Sequence, residues 1–165
     1  MHAAEFVTLI PRLRRYARAL VGDRSSADDL VQDTLERAWA RFHLWQRGTD
    51  LRAWLFTVMH NVHANRARAW RVHLQFDEDA PEAGFKPAEN GLLEMRDLER
   101  ALAALPVEQR EVLLLVALED LSYAETAATL GIPAGTVMSR LSRARERLRV
   151  LMHGPQPAVK LKRVK

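Results

Sequence analysis

Apolar residues recur at three- and four-residue spacing along nearly the whole chain, and strict alternation is absent, so the pattern predicts helices and no strands. Phe6, Leu9, Ile10, Leu13, Tyr16, Ala17, Leu20 and Val21 form one helical stripe that stops at Gly22. Pro11 falls inside it and predicts either a kink or the true start of the helix. Ser25 and Ser26, each followed three residues later by an aspartate, offer two overlapping capping boxes for a second helix. Its stripe is Leu30, Val31, Thr34, Leu35, Ala38, Trp39 and Phe42, and its other face is polar and partly acidic. A loop from Gln46 to Asp50 leads into a third helix, capped by Thr49 or Asp50, with Leu51, Leu55, Val58, Met59 and Val62 inward. It ends in a basic run at Arg66, Arg68 and Arg71.

Periodicity is lost from Val72 to Gly91, where Pro81, Gly84, Pro87 and Gly91 punctuate an acidic stretch that predicts a linker. Helical patterning resumes over Leu92–Leu105, Pro106 restarts the chain at a helix first turn, and Val112–Leu118 is an apolar run suited to a buried helix. The expected fold class is therefore all-α, with two small helical domains joined by a flexible linker that leaves them unspaced. The boundaries are a first domain at 1–71, an acidic linker at 72–91, a second domain at 92–153 and a basic tail at 154–165.

Composition narrows the function. With 48% hydrophobic residues the 165-residue chain can bury cores, and no apolar run reaches the roughly 18 to 20 residues that span a bilayer. Membrane insertion is not expected. The first residues lack a secretion signal, which predicts a cytoplasmic protein. The absence of cysteine excludes disulfides, thiolate metal sites and cysteine nucleophiles. Net charge is +4, and a pI of 9.9 favours a polyanionic partner. Charge is segregated: residues 77–99 are strongly acidic, whereas Arg140 to the C-terminus is strongly basic.

The segment LSYAETAATLGIPAGTVMSRLSRARERL has the spacing of a helix-turn-helix. Ser122 and Glu125 make a capping box, Ala127 and Ala128 are small where two helices cross, Gly131 supplies the turn, Ile132 plugs the core and Pro133 starts the second helix. Val137, Leu141, Ala144 and Leu148 then share an inward face, leaving Ser139, Ser142, Arg143, Glu146 and Arg149 outside. Short hydroxyls beside arginine suit entry into the major groove.

The stretch from ALAALPVEQREVLLLV through this motif resembles region 4 of bacterial sigma factors. DDLVQDTLERAWARF followed by DLRAWLFTVMHNVHANRARAWR resembles region 2. Their order, over about Glu5 to Leu151, is similar to the two-domain sigma factors of the extracytoplasmic-function (ECF) group. The resemblance implies binding to the clamp and flap of core RNA polymerase, recognition of promoter DNA at −10 and −35 elements, and an anti-sigma factor as a further partner. It implies a core-polymerase surface at Asp29, Gln32, Asp33 and Glu36. A −10 and melting surface would comprise Arg47, Gly48, Thr49, Asp50, Asn61, Asn65 and Arg66, in which the 47–50 loop receives a flipped base. Phe42 and Trp45 would be either stacking partners for that base or core residues; Trp54 and Leu55 would be core. Ser139, Arg140, Ser142, Arg143 and Arg145 would read −35, with Arg140 and Arg145 assigned to phosphates. Met138 and Ser142 depart from the family pattern, so the −35 sequence is not transferable.

Two other readings compete with this one. His60 and His63 have the spacing of a metal pair, but no carboxylate stands at a helpful spacing for a zinc enzyme, and the plainer reading is a polar helix face near DNA. The reading thus calls for no catalytic residue, cofactor or metal. A stand-alone helix-turn-helix regulator remains the alternative; it would need a sensing or dimerisation module in the first half.

Overall fold

A computed structural model of the chain describes residues 2–76 and 93–154. Among them are seven α-helices: α1 (His2–Val21), α2 (Arg24–Ala40), α3 (Leu51–Phe76), α4 (Leu93–Ala104), α5 (Val107–Leu113), α6 (Tyr123–Leu130) and α7 (Ala134–His153). A short 3-10 turn spans Phe42–Leu44, and α5 continues as a π-helical turn over Leu114–Leu118. No strand occurs among the described residues, as the periodicity predicts. The linker residues 77–91, and the tail from 155, lie outside the described residues.

Helix boundaries differ from expectation at several points. α1 does not begin at Pro11 but runs through it from His2, since one missing N–H removes only one bond of the ladder. Gly22, at φ 78°, ends α1, and Asp23 caps α2 one residue later. Its carboxylate accepts from the Ser26 backbone N–H at 2.9 Å and from the Ser26 hydroxyl at 2.8 Å. Ser25 and Ser26 are therefore first-turn residues rather than caps, because the Gly-Asp junction is too tight to leave them outside the helix. Asp50, not Thr49, caps α3, accepting from the Arg52 N–H at 2.9 Å. α3 also extends through Val72–Phe76, so the linker predicted from residue 72 starts inside a helix.

In the first half, Phe6, Leu13, Tyr16 and Leu20 of α1 meet Leu30 and Val31 of α2 and Leu55, Phe56, Met59 and Val62 of α3. Phe56, outside the predicted inward set, is buried edge-on against Tyr16 with ring centroids 5.0 Å apart. Trp39, expected inward, is 65% exposed at the edge of the bundle and meets Phe6 edge-on. In the second half Val112, Leu114 and Leu115 pack with Leu130, Val137, Leu141 and Ala144. Arg110 donates to the carbonyls of Leu102, Ala103 and Leu105, satisfying the open end of α4. Burial pushes its guanidinium below the ordinary value, against the opposing pull of Glu111.

The halves are not unspaced. Their apolar residues form one continuous cluster, α6 packs on α3, and α1 packs on α4, α5 and the π turn. A helix with apolar residues on more than one side needs more than one neighbour. Val112–Leu115 is buried throughout, so α5 needs cover beyond α7, and α1 supplies part of it.

Candidate nucleic-acid interface

The helix-turn-helix forms as its local signals dictate. Ser122 Oγ accepts from the Glu125 N–H at 3.0 Å, and the Glu125 carboxylate accepts from the Ser122 N–H at 2.7 Å, closing the capping box. Gly131 takes φ 64°, where a side chain would be strained, and Pro133 sets the start of α7. Val137, Leu141 and Ala144 are buried and Leu148 half-buried. One expectation fails: Ala128 is exposed, and the inward residues of α6 are Thr126, Thr129 and Leu130.

Ser139, Ser142, Arg143 and Arg145 are exposed on the outer face of α7, while Arg140 is half-buried. The Ser139 hydroxyl donates to the Thr136 carbonyl at 3.1 Å, which leaves its lone pairs outward as acceptors. Arg149 donates twice to Glu146, at 2.7 and 3.1 Å, and this contact holds the Glu146 carboxyl below its usual value. The clip occupies Arg149, whereas exposed Arg143, Arg145 and Arg147 make no ion pair among the described residues. Exposed Met138 borders the same face.

In the first half the sequence-predicted residues separate into distinct surfaces. Asn61 and Asn65 are exposed one turn apart on α3, and exposed Arg68 continues the same stripe at the next turn. Arg68 was not among the expected site residues, although its spacing of seven from Asn61 carries the signal. Arg66, which was, lies off that stripe: it pairs with Asp33 and donates to the Asp29 carbonyl at 3.2 Å. The loop residues Arg47, Gly48, Thr49 and Asp50 are all exposed, with Gly48 at φ 91°. Phe42 and Trp45, half-buried and stacked at 5.4 Å beside this loop, pack against the core, as do Trp54 and buried Leu55. Asp29, Gln32, Asp33 and Glu36 form an exposed face of α2, with Gln32 donating to Glu36 at 3.1 Å.

His60 and His63 are half-buried and turned towards the second half. His60 Nδ1 lies 2.8 Å and His63 Nδ1 3.7 Å from Glu111 of the second half. Burial would raise the Glu111 pKa, but hydrogen bonds and charge from the two histidines overcome this and hold it at about 2. Among the described residues no group of three or more histidine, cysteine or acidic side chains could hold a metal ion.

Residues 6–60 match the family described as the Sigma2 domain of PhyR, and residues 95–148 match Sigma-70, region 4. The ECF RNA polymerase sigma factor EcfG of Rhodopseudomonas palustris is 38% identical over 90% of this chain and 83% of its own length. The chain belongs to the ECF sigma factors of RNA polymerase.

SigL of Mycobacterium tuberculosis, another ECF sigma factor, is 37% identical over 85% of this chain and 82% of its own. Among solved structures, the sigma factor RpoE of Bartonella quintana, crystallised with the anti-sigma factor NepR, has a TM-score of 0.84 and 35% identity. It covers 94% of this chain and 98% of that one. In this ECF sigma factor α1–α3 form the region 2 half and α4–α7 the region 4 half. The basic outer face of α7 and the Asn-Arg stripe of α3 therefore lie in different halves of one sigma factor.

Proposed function

We propose that this ECF sigma factor uses three separate surfaces in one initiation cycle. The α2 face of Asp29, Gln32, Asp33 and Glu36 docks on a basic element of core polymerase, where complementary charge speeds association and sets register. Asn61 and Asn65, with the Arg47–Asp50 loop, engage the −10 element and hold a base flipped from the non-template strand; Arg66 supports α2 and α3 from behind. Ser139, Ser142 and Arg143 read −35 base edges, and Arg140 and Arg145 hold phosphates. The observation that carries this reading is the division of polar side chains on α2 and α3. An acidic face and an amide-arginine stripe stand exposed side by side, each of the chemistry its partner needs.

Catalysis stays with the polymerase, so no residue here is assigned a chemical step. The expected setting is the cytoplasm; no helix among the described residues is long and apolar enough to cross a membrane. The Bartonella relative's complex with NepR supports an anti-sigma factor as a partner of this chain as well. The deciding experiment adds the purified chain to core RNA polymerase on a library of promoter templates. Specific run-off transcripts absent with core alone are expected. Binding to DNA without any core-dependent transcript would favour a stand-alone regulator instead.

A further inference from the structure

We infer that Met138 is a specificity-determining residue of this sigma factor, reading the 5-methyl group of one thymine in the −35 element. The inference rests on the assignment of α7 to that element. Met138 lies near the start of α7, where a recognition helix presents its residues to base edges, and it is 51% exposed. It begins a stripe along one flank of the helix, Met138, Ser142, Arg145 and Arg149, spaced four, three and four residues apart. Tyr123, the first residue of α6 and itself 39% exposed, lines a shallow groove of about 400 Å³ together with this stripe. The two ends of the groove differ in character. At the far end Arg149 is clipped to Glu146, so the pair adds little net charge, and exposed Arg145 is the cation that draws a phosphate to the groove wall. The near end carries only the thioether of Met138, the ring of Tyr123 and the hydroxyl of Ser142.

The chemistry of that near end selects one base. A thioether has no hydrogen-bond donor and only a weak acceptor. Pressed against the amino group of adenine or cytosine, or the O6 of guanine, it strips water from a polar edge and leaves that edge unbonded, which is costly. Thymine alone presents an apolar group in the major groove, its C5-methyl. The unbranched, polarisable methionine chain adapts to a small apolar group better than a branched one does. Ser142, one turn further along α7, bonds a base of either type and so fixes register without competing for the methyl. An arginine in place of Met138 would select guanine, so the departure of this residue from the family pattern alters which promoters are chosen and not only how tightly they are held.

The test uses holoenzyme assembled from core polymerase and this chain, on the promoter it prefers from a library randomised over the −35 element. Each −35 thymine is replaced in turn by deoxyuridine, which lacks only the methyl. One replacement is expected to weaken binding about fourfold, as the loss of one buried methyl group should. Met138→Ala should bind the thymine and uracil forms at that position equally, whereas Met138→Leu, apolar and of similar volume, should keep the difference. Because the side chain is exposed, both variants should retain the wild-type melting temperature. A preferred element with no thymine on either strand, a wild-type holoenzyme indifferent to every uracil replacement, or a full difference surviving in Met138→Ala would overturn the inference. Holoenzyme with no preference for any −35 sequence would remove the assignment of α7 along with it; a sequence preference that stands without the thymine–uracil difference removes the methyl contact alone.

Discussion

Arg66 of α3 pairs with Asp33 of α2, so a residue expected at the DNA and one expected at the polymerase are bound to each other. The pair joins the helix that carries the acidic face to the helix that carries the amide stripe. Neither residue is a pure contact residue: each positions the other's helix. Exposed pairs of this kind contribute about 0–1 kcal/mol, so its value lies in geometry more than in stability.

Charge reversal on α2 separates these roles. Glu36→Arg should weaken association with core polymerase, in a pull-down at moderate salt, while leaving the melting temperature unchanged. Asp33→Arg should weaken that association and also lower the melting temperature, because it sets two cations together. Combining Asp33→Arg with Arg66→Asp should restore the melting temperature but not polymerase binding; recovery of both would remove Asp33 from the docking face.

On α7, Arg143→Ala should cost about 1–3 kcal/mol on the preferred −35 sequence and flatten discrimination at one base pair. Arg145→Ala should weaken all sequences alike and shallow the salt dependence by one phosphate contact. Competition binding against single-base variants of the −35 duplex distinguishes the two. Sequence-blind losses from both would confine Arg143 to the backbone.

Asn61→Ala with Asn65→Ala should leave core binding and thermal stability nearly unchanged, since both side chains are exposed. Open-complex formation on duplex promoters should fall, and a premelted template should recover it because the unpairing cost has been removed. Permanganate reactivity of promoter thymines and run-off transcription on both templates measure this. Normal opening by the double variant excludes the stripe from melting.

Acid should weaken the protein through Glu111. Its carboxyl titrates at about 2 when folded and near 4.3 in an unfolded chain, so the stabilisation is complete above the unfolded value. It is lost as pH falls from about 4.3 towards 2. Glu111→Gln should therefore show a smaller loss of denaturant midpoint over that range than wild type. Identical acid profiles would mean that the histidine contacts do not persist in solution.

Ser122→Ala removes one half of the capping box and should cost about 1 kcal/mol by denaturant unfolding. The loss should also appear as weaker −35 binding, because α6 sets the angle of α7. A stability loss with unchanged DNA affinity would show that α7 is held by its buried face alone.

Local signals were readable because they act within a turn or two of chain. The Ser122–Glu125 box, the Gly131 turn, the Pro133 start and the inward set Val137, Leu141 and Ala144 need only spacing and side-chain type, and the structure bears each of them out. The same holds for all-helical architecture, where a period near 3.6 announces itself without tertiary information. What spacing could not supply was the partner of each side chain. Asp23 took the cap from Ser25 and Ser26 because of how closely α1 precedes α2, and Arg66 lies off the Asn61–Asn65 stripe because Asp33 is within reach. His60 and His63 look like a metal pair or a solvated face until α5 brings Glu111 against them. Glu119 carries no local sign of burial, since an acidic residue at a helix end ordinarily faces water. Its burial was decided by two arginines more than a hundred residues earlier, and long-range pairing of this kind exists only once the halves have packed.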